Sequence, residues 1–104
     1  MSMMKINKMK KEKCESLEQV REQIDVVDQA LIEMIAVRQF YVDQAVRFKR
    51  TEQDVQAPER VEQVIVKVRA QAVEFGTDPD LVEHIYREMI QRFIQRELKE
   101  IQPY

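Results

Sequence analysis

From Leu17 onward an apolar pattern repeats every seven residues for more than four turns, and no Gly or Pro interrupts the chain before Pro58. Leu17, Ile24, Leu31, Arg38 and Ala45 form one column, and Val20, Val27, Met34, Tyr41 and Phe48 form its companion. That spacing keeps one stripe of a helix turned toward a partner. Ser16 is placed to cap the helix, with Gln19 at the third helical position to complete a capping box. The pattern predicts a helix from about Leu17 to about Arg50, ahead of the polar stretch TEQDVQ. About 34 residues at about 1.5 Å each make a rod of roughly 50 Å. A compact 100-residue domain has a radius of gyration of only about 13 Å. The remaining residues cannot cover such a stripe along its length, so a partner chain must. A helical dimerisation module satisfies this requirement by itself.

The rest of the chain reads as two further helices. Pro58 behind Ala57 can open one at its first position, and Gly76 after Phe75 can stop it. Asp78 and Pro79 start a third helix, which Pro103 ends. One Gly, three Pro, 35% charged residues and no strand signal make the fold class all-α. A length of 104 residues allows one domain, placed at residues 16–102 behind a basic tail at 1–15. That tail, MSMMKINKMKKEK at its start, carries five Lys without an apolar run and reads as a disordered, solvated segment. A net charge of −2 does not recommend a nucleic-acid partner, and no stretch approaches a membrane span. Cys14 is the only cysteine and has no disulfide partner, which suits the cytoplasm. His84 is the only histidine, which excludes a metal site built on several His and Cys. Neither a Gly-rich phosphate loop nor a nucleophile elbow is present.

Two cations break the apolar stripe. Arg38 and Lys49 are eleven residues apart, which on a continuous helix is about 20° in azimuth and about 16 Å along the axis. Val42 and Ala45 lie between them on that face. A guanidinium, a small apolar floor and an ammonium suit a compact ligand with anionic groups, since Arg grips a carboxylate bidentately and Lys acts as a point charge. Snorkelling to solvent or pairing with carboxylates is the plainer explanation, and composition leaves both open. Arg21 lies about 25 Å before Arg38 on a different azimuth, too far for one small ligand to meet both from one chain. In an antiparallel dimer it can reach the other rod's cation face. Glu97 follows Ile85, Met89 and Phe93 at i+4 steps. A carboxyl in an apolar row tends to stay protonated, the form that can donate a hydrogen bond.

The stretch VREQIDVVDQALIEMIAVRQFYVDQAVRFK, with APERVEQV at 57–64 and DPDLVEHIYREMIQRFIQREL at 78–98, resembles the all-helical chorismate mutases. The likeness covers about residues 16–101. Arg21, Arg38 and Lys49 match active-site cations of that family in type and spacing. The resemblance implies a three-helix subunit in an intertwined homodimer, with two sites that each take Arg21 across the interface. It implies a small dicarboxylate substrate, chorismate, rearranged to prephenate, and needs no metal, cofactor or nucleophile. By that analogy Arg38 and the partner's Arg21 hold the carboxylates and Lys49 donates to the ether oxygen. Glu59 accepts from the ring hydroxyl, and Glu97 stands where the family often has Gln, as a donor to the same ether oxygen.

The match departs from a standard mutase at three places. Pro58 stands where many members have Arg, Phe93 stands where a substrate-contacting Ser can occur, and the connection from Lys49 to Arg60 is short. These features, with RFK and APERV, resemble the isochorismate–pyruvate lyases, relatives that release pyruvate to leave salicylate but carry Gln at the position of Glu97. The expected activity is chorismate mutase, with the lyase as the alternative. A non-catalytic dimer or a domain that binds an aromatic metabolite is the remaining class. Against it stands the cost of burying charge at a seam that nothing anionic fills.

Overall fold

A computed structural model describes residues 10–100, which contain four helices and no strand. The chain divides into two compact units, Met1–Tyr41 and Val42–Tyr104. Residues 1–9, most of the basic tail, lie outside the described residues, as do Ile101 and the expected terminator Pro103.

Helix α1, Leu17–Val46, starts where expected. Ser16 Oγ accepts from the Gln19 N–H at 3.1 Å, while the Gln19 side chain accepts from Glu15 N at 2.8 Å rather than from Ser16. The helix stops at Val46 rather than near Arg50, which corrects the expected boundary. Its last turn tightens, with Arg47, Phe48 and Lys49 N–H bonded to Gln44, Ala45 and Val46 carbonyls three residues back. The cause lies downstream: Asp54 Oδ2 accepts from Arg50 N at 3.0 Å and from Thr51 N at 3.2 Å. Those amides are thereby taken from the helix by a competing side-chain acceptor.

The polar stretch expected as a connection instead forms the short helix α2, Glu52–Gln56. Thr51 and Asp54 close a full capping box around its start. Val55, its one apolar residue, is 2% exposed. Ala57 ends α2 in the left-handed region at φ 38 and is followed by Pro58. A non-glycine residue there costs on the order of 1–2 kcal/mol, offset here by the packing of the helices on either side.

Helix α3, Pro58–Glu74, opens on its proline as expected. It closes on Gly76 at φ +76, with Gly76 N bonded to Val73 O and Thr77 N to Ala72 O. That pair of bonds is the Schellman pattern, which favours glycine at the left-handed position. Helix α4, Pro79–Glu100, follows at once, and Asp78 Oδ1 accepts from Asp80 N at 2.8 Å. Val55, Ile65, Ile90 and Ile94 form the core of the second unit, with Val61, Val64, Tyr86 and Leu98 packed against it. A web of ion pairs covers one side: Arg69 bridges Asp80 and Glu83, and Arg87 bridges Glu83 and Glu62.

Candidate active site

Lys49 lies beyond the end of α1, so the eleven-residue azimuth that put it on one helix face with Arg38 does not apply. Its backbone N–H bonds Val46 O at 3.0 Å, the final bond of the tightened turn. From there its ammonium reaches α4 and donates to both oxygens of Glu97, at 3.2 Å to Oε2 and 3.5 Å to Oε1. The Glu97 side chain is 3% exposed and that of Lys49 23%. An ionised carboxylate so far from water needs a charged or multiply bonded partner, and Lys49 supplies it.

Glu97 therefore sits inside the protein rather than on its rim. Of the row expected to lead to it, Ile85 is exposed and Met89 and Phe93 are half-buried, and the apolar surroundings of Glu97 come instead from the buried side of α4 that carries Ile90 and Ile94. The expected nearness of Lys49 to Glu97 takes the form of two direct hydrogen bonds. In the arrangement seen, Glu97 accepts from Lys49.

Glu59 is exposed in the first turn of α3, at the mouth of the same region. Lys49 and Glu59 both line a shallow, largely polar depression of about 560 Å³, together with Phe48, Gln53, Asp54, Ala57, Pro58 and Arg60. Three members of that wall were not singled out from the sequence: Gln53, Asp54 and Arg60. The T-x-x-D spacing of a capping box was the available signal for Asp54, and adjacency to Glu59 was the signal for Arg60. Asp54 carries a carboxyl held below its ordinary value near 3.8, first by the backbone hydrogen bond from Arg50 and next by that from Thr51.

Lys49, Glu59 and Glu97 thus belong to one unit, and Arg21 and Arg38 to the other. On α1, Arg21 is exposed and Arg38 half-buried. Along that helix they stand about 25 Å apart, so one small ligand cannot bridge them from a single chain. The stripe that Arg38 interrupts is uncovered. Of the thirty residues of α1 only Ala30 is buried, and the first heptad column is open to solvent at Leu17 (62%), Ile24 (52%) and Leu31 (56%). No helix among the described residues is long and apolar enough to cross a membrane.

A family model described as chorismate mutase type II matches residues 20–98. The chain is also 34% identical over 88 residues to the isochorismate pyruvate lyase of Pseudomonas aeruginosa, an alignment covering 85% of this chain and 87% of that relative.

Proposed function

The chain belongs to the chorismate mutase type II family, and from that premise we propose that it converts chorismate to prephenate. In that rearrangement the ether C–O bond breaks while the enolpyruvyl methylene bonds to the ring, and no atom is gained or lost. Negative charge grows on the ether oxygen as the bond opens. A fixed ammonium aimed at that oxygen stabilises the transition state more than the ground state, which is what accelerates a reaction. The single observation carrying this reading is Lys49, partly buried, held on Glu97 and facing a polar depression shared with Glu59. Lys49 would donate to the ether oxygen, Glu97 would hold Lys49 and stand beside the same oxygen, and Glu59 would accept from the ring hydroxyl. Catalysis of this kind rests on positioning and preorganised charge.

The two carboxylates of the substrate call for the arginines. Arg38 would hold one and the partner's Arg21 the other, in an intertwined homodimer with two shared sites. The open stripe of α1 supports this, since a row of exposed Leu, Ile and Val at heptad spacing is an interface waiting for a chain of matching period. The domain would then run over residues 16–102, with the basic residues ahead of it outside the site, and the enzyme would work in the cytoplasm.

A second reading has its own support: the likeness to an isochorismate pyruvate lyase, with Pro58, Phe93 and the short connection from Lys49 to Arg60. There the same C–O bond breaks, and a ring hydrogen ends on the methyl group of pyruvate. Glu97 favours the mutase reading, since some mutases resemble this chain in carrying Glu there whereas the lyases carry Gln. Purified protein offered chorismate and isochorismate in separate reactions tests both: prephenate from the first supports the mutase, and salicylate with pyruvate from the second supports the lyase. Turnover of neither would leave a metabolite-binding or dimerisation module.

A further inference from the structure

We propose that Asp54 is a positioning residue that fixes Lys49 for its work, rather than a cap serving only the short helix it starts. This rests on the reading that Lys49 is the working cation. A helix of five residues is too short to hold itself in water, so the bonds around its first turn must matter chiefly for what they fasten. Asp54 Oδ2 accepts from the two amides that follow Lys49, Arg50 N at 3.0 Å and Thr51 N at 3.2 Å. Asp54 N in turn donates to Thr51 Oγ1 at 3.0 Å. On the other side, Lys49 N is bonded to Val46 O. Lys49 is thus clamped on both flanks, by the end of α1 before it and by one carboxylate after it.

The clamp is anchored. Val55, next to Asp54, is buried in the core with Ile90 and Ile94 of α4, the helix that presents Glu97 three residues later. The carboxylate that sets the start of the Lys49 side chain and the carboxylate that receives its ammonium are therefore tied to one packed body. Lys has four flexible methylenes, and its charge is positioned only if its backbone is. Asp54 also lines the depression beside Lys49 and Glu59, but its Oδ2 faces backbone amides, so its action on a substrate passes through Lys49.

Asp54→Glu separates the two roles. Glutamate is the commoner partner in a capping box, so a residue needed only as a cap would leave stability and turnover unchanged. If Asp54 positions Lys49, the extra methylene moves the acceptor away from Arg50 N. Stability should then hold while kcat falls on the order of 10- to 100-fold, with KM within about twofold, as expected for a misplaced group. Asp54→Ala should lose at least as much kcat, but not in a Lys49→Ala background, where nothing remains to position. Asp80→Ala, which breaks the Arg69–Asp80 surface ion pair at the opposite end of α4 from Glu97, serves as the control that loses some stability and keeps kcat. The ammonium signal of Lys49 by NMR without substrate gives an arm independent of turnover. It should be sharp and pair-bound in the parent and in Asp54→Asn, and averaged with solvent in Asp54→Glu. Parent kcat in Asp54→Glu, an undiminished Asp54→Ala loss in the Lys49→Ala background, or an unaltered ammonium signal would each overturn the proposal. If the parent turns over neither substrate, the function reading fails, and the ammonium signal still decides whether Asp54 positions Lys49.

Discussion

The Lys49 ammonium lies 3.2 Å from Glu97 Oε2, joining residues 48 positions apart into one ion pair at the edge of the second unit's core. The pair gives each residue what it lacks alone. Both carboxyl oxygens of Glu97, at 3% exposure, accept from the Lys49 ammonium. Lys49, at the end of a helix and on a flexible stem, could not hold one direction without an acceptor. The same bonds leave Glu97 as an acceptor only, so in this state it cannot itself donate to a substrate.

Glu97→Gln tests that limit. The amide keeps an oxygen for Lys49 and adds an N–H that can donate to the ether oxygen. Turnover near pH 7.5 should rise above the parent's, with KM little changed. An inactive Glu97→Gln would mean that the carboxylate is the working form, either holding Lys49 by charge or acting as a base.

Arg21→Ala and Arg38→Ala should each abolish turnover while leaving the helical content and the state of association unchanged. If each site takes one arginine from either chain, mixing the two dead proteins under subunit exchange restores some sites. A mixed dimer has one site with both arginines and one with neither. Random mixing at equal amounts should then recover roughly one quarter of the sites. No recovery despite demonstrated exchange would place both arginines in one chain. A folded monomer in sedimentation at micromolar concentration would remove the basis for sharing altogether.

Acid should loosen the second unit through its surface ion pairs. Hydrogen bonds from Arg87 hold the Glu62 and Glu83 carboxyls below their ordinary value near 4.5. A carboxyl with a lowered folded value contributes stability that is fully present above the unfolded value and disappears as pH falls through the folded one. Thermal stability should therefore be level in this respect down to about pH 5 and decline below about pH 4.5. The double variant Glu62→Gln, Glu83→Gln should start lower at pH 7, show a shallower acid decline and meet the parent once both parent carboxyls are protonated. Parallel curves for parent and variant would show that these pairs contribute nothing to the acid transition.

What could be read in the sequence was what local rules decide. Ser16, Pro58, Gly76 and the Asp78–Pro79 step each carry a start or stop signal in their own chemistry, and the helices begin or end beside them. The end of α1 carries no such signal. Val46, Arg47 and Phe48 could all continue a helix, and the decision falls to Asp54, which competes for amides several residues upstream. Helix α2 escaped notice because one Val among polar residues makes no periodic pattern, although that Val fills the core. The apolar row on α4 put Glu97 among apolar residues, although the buried ones are Ile90 and Ile94 rather than Ile85, Met89 and Phe93. Its ammonium partner depends on how α1 ends and how α2 packs on α4, which no local rule contains. The cation spacings over Arg21, Arg38 and Lys49 placed the chain in its family even though Lys49 does not lie on the helix that the spacing assumed.

The role of Lys49 is the centre of the account, and the kinetics of Lys49→Ala on whichever of chorismate or isochorismate the parent turns over test it most directly. Loss of a donor to a developing oxyanion should cost on the order of 10²–10³ in kcat, with KM changed far less. Circular dichroism must first establish that the variant folds, since Glu97 is left without its cation. A fall of that size in kcat is the predicted result. A rise in KM with kcat intact would mean that Lys49 only binds a carboxylate, and the assignment of the ether oxygen to it would be wrong.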